Sequence, residues 1–200
     1  MIILAFAAMG LSVLAGEPKA QKSETAKVDA SQSAFKWHAK KVTGEHNGTV
    51  KFQSGEIVLS NSVVSGGIFT MDMTTIDNAD MTGEYHDKLV KHLKSEDFFS
   101  VEKNKTATLK IKSAAEIKDA KPGEKNYTIK ADLTVKGITN EIVFPALIVI
   151  NKENIVAIAD FMIDRTKYDI RYGSKTFFEN IGDKAIDNEF NVNVRVVGKR

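Results

Sequence analysis

The residues of this chain with the types for chemistry are four histidines and a scatter of carboxylates; there is no cysteine. The densest group is "GEYHDKLVKHLKSEDFFSVEK", Gly83 to Lys103, which holds His86, His92 and several acids. The two histidines are six residues apart, about 240° out of phase on a helix. A helical metal pair needs i,i+3 or i,i+4 spacing, as in H-E-x-x-H. His38 falls among lysines and His46 in a turn, so three or four converging ligands do not assemble. Without cysteine, thiol nucleophiles, disulfides, Cys zinc sites and iron–sulfur clusters all drop out. No G-x-S-x-G elbow occurs, and Gly173-Ser174-Lys175 lacks the spacing of a phosphate-binding loop. Glu96 and Asp97 alone do not make an acid/base pair in a chain this rich in Lys and Glu. No catalytic residue, metal or required cofactor is assigned, and the chain reads as a non-enzyme.

The elements that would position these residues alternate with period two. "AFKWHAKKV" sets Phe35, Trp37 and Ala39 against Lys36, His38 and Lys40. "GGIFTMDMTTI" sets Phe69, Met71 and Met73 against Thr70, Asp72 and Thr74, and "NEFNVNVRVVG" sets Phe190, Val192, Val194 and Val196 against Asn191, Asn193 and Arg195. The same pattern in "GTVKFQ", "TATLKIKS" and "NYTIKADLTVKG" indicates antiparallel strands with one buried and one wet face. Glycine and asparagine turns separate roughly eight or nine such runs, and Pro145 predicts an edge, bulge or bend. Two segments break the period. Thr82–Lys94, with Tyr85, Leu89 and Leu93 at helical spacing, predicts a helix that Asp80 or Thr82 would cap. Ser174–Ile186 predicts a short helix or ordered loop. One-faced strands in this number make an all-β barrel or a sandwich, and an eight-stranded barrel holds its own side chains or one ligand. The pairs Phe98-Phe99 and Phe177-Phe178 suit either plugs at the barrel ends or the lining of an apolar site.

Composition fits a single globular domain: 42% hydrophobic, 27% charged, and a formal charge of +2 that gives no nucleic-acid footprint. The apolar run from Met1 ends in small residues and is too short to span a bilayer, so residues 1–16 read as a secretory signal segment, although no Lys or Arg precedes Lys19. Residues 17–27 read as a flexible tether and 28–200 as the domain. A periplasmic or secreted location is the expectation.

"HDKLVKHLKSEDFFSVEKNKTATLKIKS" resembles a signature of the YceI-like, polyisoprenoid-binding family, in which a charged helix leads into L-x-S-x-D-F-F-x-V-E-K and a strand. "YTIKADLTVKGITNEIVFPA" is similar to the family's next hairpin, and "DFMIDRTKYDIRYGS" to its D-R-[ST]-x-[FYW] strand. The resemblance runs from about Val28 to the C-terminus. It implies a lipocalin-like, up-and-down antiparallel barrel of about eight strands with one or two short helices. It also implies export and binding of an isoprenoid lipid, free or as the tail of a quinone. That lipid is the expected partner; a transient membrane contact and a homodimer stay open, and no nucleic acid is expected.

Inward parity and the two helical segments nominate Phe35, Trp37, Phe69, Met71, Leu89, Leu93, Phe98, Phe99, Phe161 and Ile163 as lumen lining. Arg165 shares the parity of Ile163 and should project inward near a barrel end. There it would close the barrel through a salt bridge or, with Tyr168 or Tyr172, hold a ligand head group. The rival expectation is a structural or stress-response barrel whose core is filled by its own side chains.

Overall fold

The computed structural model describes residues 22–200. The expected signal segment and the first part of the expected tether lie outside the described residues. Nine strands follow one another: β1 (Ser23–Val28), β2 (Ala34–Lys41), β3 (Gly44–Ser60), β4 (Val63–Asn78), β5 (Thr106–Glu116), β6 (Tyr127–Val135), β7 (Ile138–Ile150), β8 (Asn154–Asp164) and β9 (Ile186–Lys199). Among the described residues one helix, α1 (Gly83–Lys94), joins β4 to β5, and short 3-10 turns span Arg165–Tyr168 and Gly182–Lys184. From β2 to β9 each strand pairs with the next in antiparallel sense, and β9 pairs back onto β2. Eight strands thus close an up-and-down barrel, the barrel rather than the sandwich.

β1 corrects the expected tether. Residues 23–27 belong to this ninth strand, Ser23–Val28, which fills the seam between β3 and β9 where β2 has not yet begun, with Ala26 opposite Ile57 and Lys27 opposite Lys199. The Lys/Glu-rich sequence hides this because only one side chain, Ala26, is fully buried. It sits over Gly198, where a Cβ would come within 3.2 Å of its own.

The alternating pattern is realised as a wet outer face and an apolar inner one; along β6, Tyr127, Ile129, Ala131 and Leu133 are buried and Thr128 and Lys130 exposed. Two seams stay open at the same barrel end. β4 and β5 pair only as far as Asp72 opposite Thr106, and α1 lies beside the gap. β7 and β8 pair only from Ala146 opposite Ala159 onward, and the ladder stops at Pro145, which has no N–H to donate. In place of further ladder bonds, Phe144 and Phe161 stack inside the wall at 4.1 Å and 13°.

α1 begins at Gly83 with φ 62. Thr82 is its N-cap but makes no side-chain cap hydrogen bond, and the Asp80 carboxylate is engaged elsewhere, by the Asn47 N–H, the Asn78 amide and His46. Glu84 in the first turn and Lys91, His92 and Lys94 in the last complement the helix dipole. Leu93 is buried and Leu89 half-buried against the core, while Lys88 and Lys91 face outward.

Candidate ligand-binding lumen

The barrel interior is hollow. A cavity of about 170 Å³ is walled almost wholly by apolar side chains from β2 to β9, the segment after α1, and α1 itself. On β9 its wall runs from Ile186 to Val196, on the order of 30 Å of strand at ~3.3 Å per residue. So small a volume against so long a wall describes a narrow slot. An apolar cavity of ~150 Å³ is enough to stay dry and admit benzene.

Of the ten nominated lining residues, Phe35, Trp37, Phe69, Met71, Leu93, Phe98, Phe99, Phe161 and Ile163 are on this wall. Leu89 is not: one turn before Leu93, it packs on the outside of the core. Sequence reasoning missed Phe52, Met73, Leu109, Phe144, Phe190 and the small residues Ala107, Ala146 and Ala159 as lining. Most of these have inward parity in runs already recognised as strands, so parity carried to every strand would have found them. Ala146 and Ala159 face each other across β7 and β8 and leave width where larger residues would fill the slot. Phe98 and Phe99 turn inward, as the corner after α1 allows, but Phe177 and Phe178 neither plug nor line the barrel. Both are exposed, and Arg171 lies 4.9 Å from the Phe177 ring centroid.

Arg165 does project inward at the barrel end, 5% exposed, but no salt bridge forms there. Its guanidinium is caged by carbonyls instead. Nε donates to Asp187 O at 2.9 Å, Nη1 to Ile170 O and Tyr172 O at 2.8 Å each, and Nη2 to Ile186 O at 3.1 Å. Burial lowers its pKa from the ordinary arginine value, yet arginine stays charged. Four of five N–H groups are spent tying the Ile170–Tyr172 segment to the start of β9, so closure runs through backbone carbonyls in place of the expected salt bridge, and Arg165 also lies on the cavity wall. The tyrosines do not assemble with it as a polar clamp. Tyr168 is buried behind the wall, and burial pushes its hydroxyl up to about 12. Tyr172 is exposed, with its ring against His92 and Phe98 at 4.6 and 5.4 Å.

The histidines each meet carboxylates at the surface: His38 with Glu45, His46 with Asp80, His86 with Asp77 and Asp87, His92 with Asp97. Hydrogen bonds that the His86 ring donates to Asp87 and Asp77 raise its pKa above its ordinary value. Among the described residues no group of three or more such side chains is placed to hold a metal ion.

A model of the YceI-like domain matches residues 27–198. Three solved structures share the fold. Burkholderia cenocepacia BcnA is 17% identical, with a TM-score of 0.66 over 85% of this chain and 98% of its own. A polyisoprenoid binding domain from Saccharophagus degradans, implicated in plant cell wall breakdown, is 14% identical, with a TM-score of 0.61 over 88% and 99%. The Campylobacter jejuni YCEI protein is 14% identical, with a TM-score of 0.52 over 100% and 92%. No curated protein matches the chain at a significant level.

Proposed function

Because the chain belongs to the YceI-like family, we propose that it binds a long apolar isoprenoid lipid in the barrel lumen without chemical change, as a carrier in the cell envelope. The ligand is a polyprenyl chain or the tail of an isoprenoid quinone. The observation that carries this reading is the slot itself: a barrel filled by its own side chains, the rival, has no such void. The likeness to a polyisoprenoid binding domain supports the same ligand class.

Affinity comes from burial. At ~0.8 kcal/mol per CH₂, a five-carbon unit contributes on the order of 2–4 kcal/mol before ordering costs. Three units in a dry slot reach the ~8 kcal/mol of a micromolar complex. Met71 and Met73, unbranched and polarizable, let the wall repack as the chain lengthens. Tyr172, Phe177 and Phe178, exposed near the α1 end of the barrel, offer the apolar contact for a transient meeting with a membrane during loading.

Organic-solvent extraction of protein purified without detergent, followed by mass spectrometry, tests the reading. An isoprenoid in near-stoichiometric amount supports it. A lipid-free protein that also fails to take up a long isoprenoid supports the filled-barrel rival.

A further inference from the structure

Two buried side-chain polar atoms among the described residues have no hydrogen-bond partner, Trp37 Nε1 and the Tyr168 hydroxyl. Only Trp37 is on the lumen wall. Resting on the lipid-binding reading above, we propose that the Trp37 indole N–H is the polar anchor of the lumen and that the ligand presents to it an uncharged oxygen acceptor, such as a quinone carbonyl, held inside the barrel.

The indole is seated by the backbone. Trp37 on β2 is opposite Gly48 on β3, and Gly48 is opposite Asn78 on β4. A Cβ at Gly48 would come within 2.6 and 2.7 Å of Trp37 Cζ2 and Cε2 and within 1.9 Å of Asp77 O. The ring therefore rests on bare backbone, and its nitrogen, bonded to Cε2, is fixed with it. Asp80 and Asn78 lock that backbone: Asp80 accepts from the Asn47 N–H at 2.7 Å, and Asn78 Nδ2 donates to Asn47 O at 2.9 Å. Trp37 is 8% exposed, so bulk water does not satisfy its donor.

Position then selects the ligand class. In register, Trp37 is beside Val192, and Val192 beside Phe161. Phe161 is four residues before Arg165, ~13 Å along the strand. An acceptor at Trp37 thus sits well inside the barrel, away from the caged guanidinium. A phosphate there would be a charge in hydrocarbon facing one neutral donor, which is prohibitive. A carbonyl needs only that donor, and a flat ring at this level would lie beside Phe161 and its stacked partner Phe144 on the cavity wall. A bare polyprene leaves the indole unpaired, at a cost that a carbonyl ligand recovers.

The chain has a single tryptophan, so the indole N–H gives one cross-peak in a ¹⁵N-labelled sample. The probes are a benzoquinone with a two-isoprene tail, the hydrocarbon of the same tail, and the phosphate of the same tail, each titrated by calorimetry and by NMR. The expected result is tightest binding by the quinone, a downfield indole proton shift with the quinone alone, and a roughly tenfold loss of quinone affinity in Trp37→Phe with hydrocarbon affinity kept within about twofold. Equal shifts with quinone and hydrocarbon, phosphate binding as tightly as quinone, or a Trp37→Phe loss shared by both probes would overturn the assignment while leaving lipid binding intact. If no probe binds the wild-type protein, the lumen reading itself fails. Should Trp37→Phe not fold, the wild-type shifts decide alone.

Discussion

Replacing Arg165 with methionine removes the charged head and keeps most of the apolar stem. Four carbonyls lose their donors, and Ile170 is 1% exposed, so water cannot readily replace the guanidinium there. Hydrogen bonds to a charged group contribute about 1.5–3 kcal/mol each, and four would sum to about 6–12 kcal/mol. Holding a guanidinium in a buried site costs several kcal/mol, and the carbonyl of exposed Tyr172 rehydrates when freed. The net expectation for Arg165→Met is a loss of about 3–5 kcal/mol. Arg165→Lys should fall between, since an ammonium has three donors and no planar fork. Urea unfolding followed by far-UV circular dichroism measures this, with isoprenoid affinity read on the fraction still folded. A destabilisation below about 1 kcal/mol would refute the cage as a closing device. So would unchanged stability with a tenfold or greater loss of affinity, which would return Arg165 to a ligand-holding role.

Other substitutions probe other parts of the molecule. Ala159→Phe fills the slot from the wall, so isoprenoid affinity should drop at least tenfold with melting temperature unchanged or raised; unchanged affinity would place the ligand elsewhere. Gly48→Ala drives a Cβ into a fixed backbone carbonyl and the indole, and should cost about 1–3 kcal/mol by overpacking, visible as a shift in urea midpoint; a neutral result would mean the Trp37 seat is loose. Ala26→Asp buries a charge in β1 and should release residues 22–28 from the barrel edge, read as lost amide protection on the facing residues of β3 and β9; full protection would contradict the packing of this strand. His86 bridges Asp77 of β4 and Asp87 of α1 with a raised pKa. Its contribution is therefore fully present below the ordinary histidine value of ~6.5 and lost as pH rises through the raised one. His86→Gln should lower the melting temperature at pH 5.5 and leave it unchanged at pH 9; an equal deficit at both would remove charge from the explanation.

The barrel was legible wherever alternation was strict, because a two-residue period fixes which side chains turn inward. Six of the nominated residues face the slot for that reason, from Phe35 on β2 to Ile163 on β8, while Leu93, Phe98 and Phe99 reach it from α1 and the corner after it. Leu89 escaped because a helix with one fully buried leucine leaves the preceding turn on a shoulder, a tertiary detail that spacing does not encode. β1 escaped because it is held by backbone pairing and by Glu24 to Arg200, and the one side chain it buries, Ala26 against Gly198, carries no hydrophobic signal. The Arg165 cage depends on carbonyls from residues 170, 172, 186 and 187, and backbone acceptors have no sequence signature. The expected carboxylate partner was a reasonable inference from burial alone, but acceptors need not be side chains. For Trp37, parity predicts its inward aim; its lack of a partner emerges only when every neighbour is in place.

On the proposed function, these walls enclose a slot that a hydrocarbon chain threads. A crystal structure of the protein loaded with a long isoprenoid tests it most directly. Continuous ligand density is expected along the inner face of β9 between Ile186 and Val196, flanked by Phe35, Phe69, Phe98 and Phe161. Density confined to the outer surface near Phe177 and Phe178, with the interior closed by rotated side chains, would contradict it.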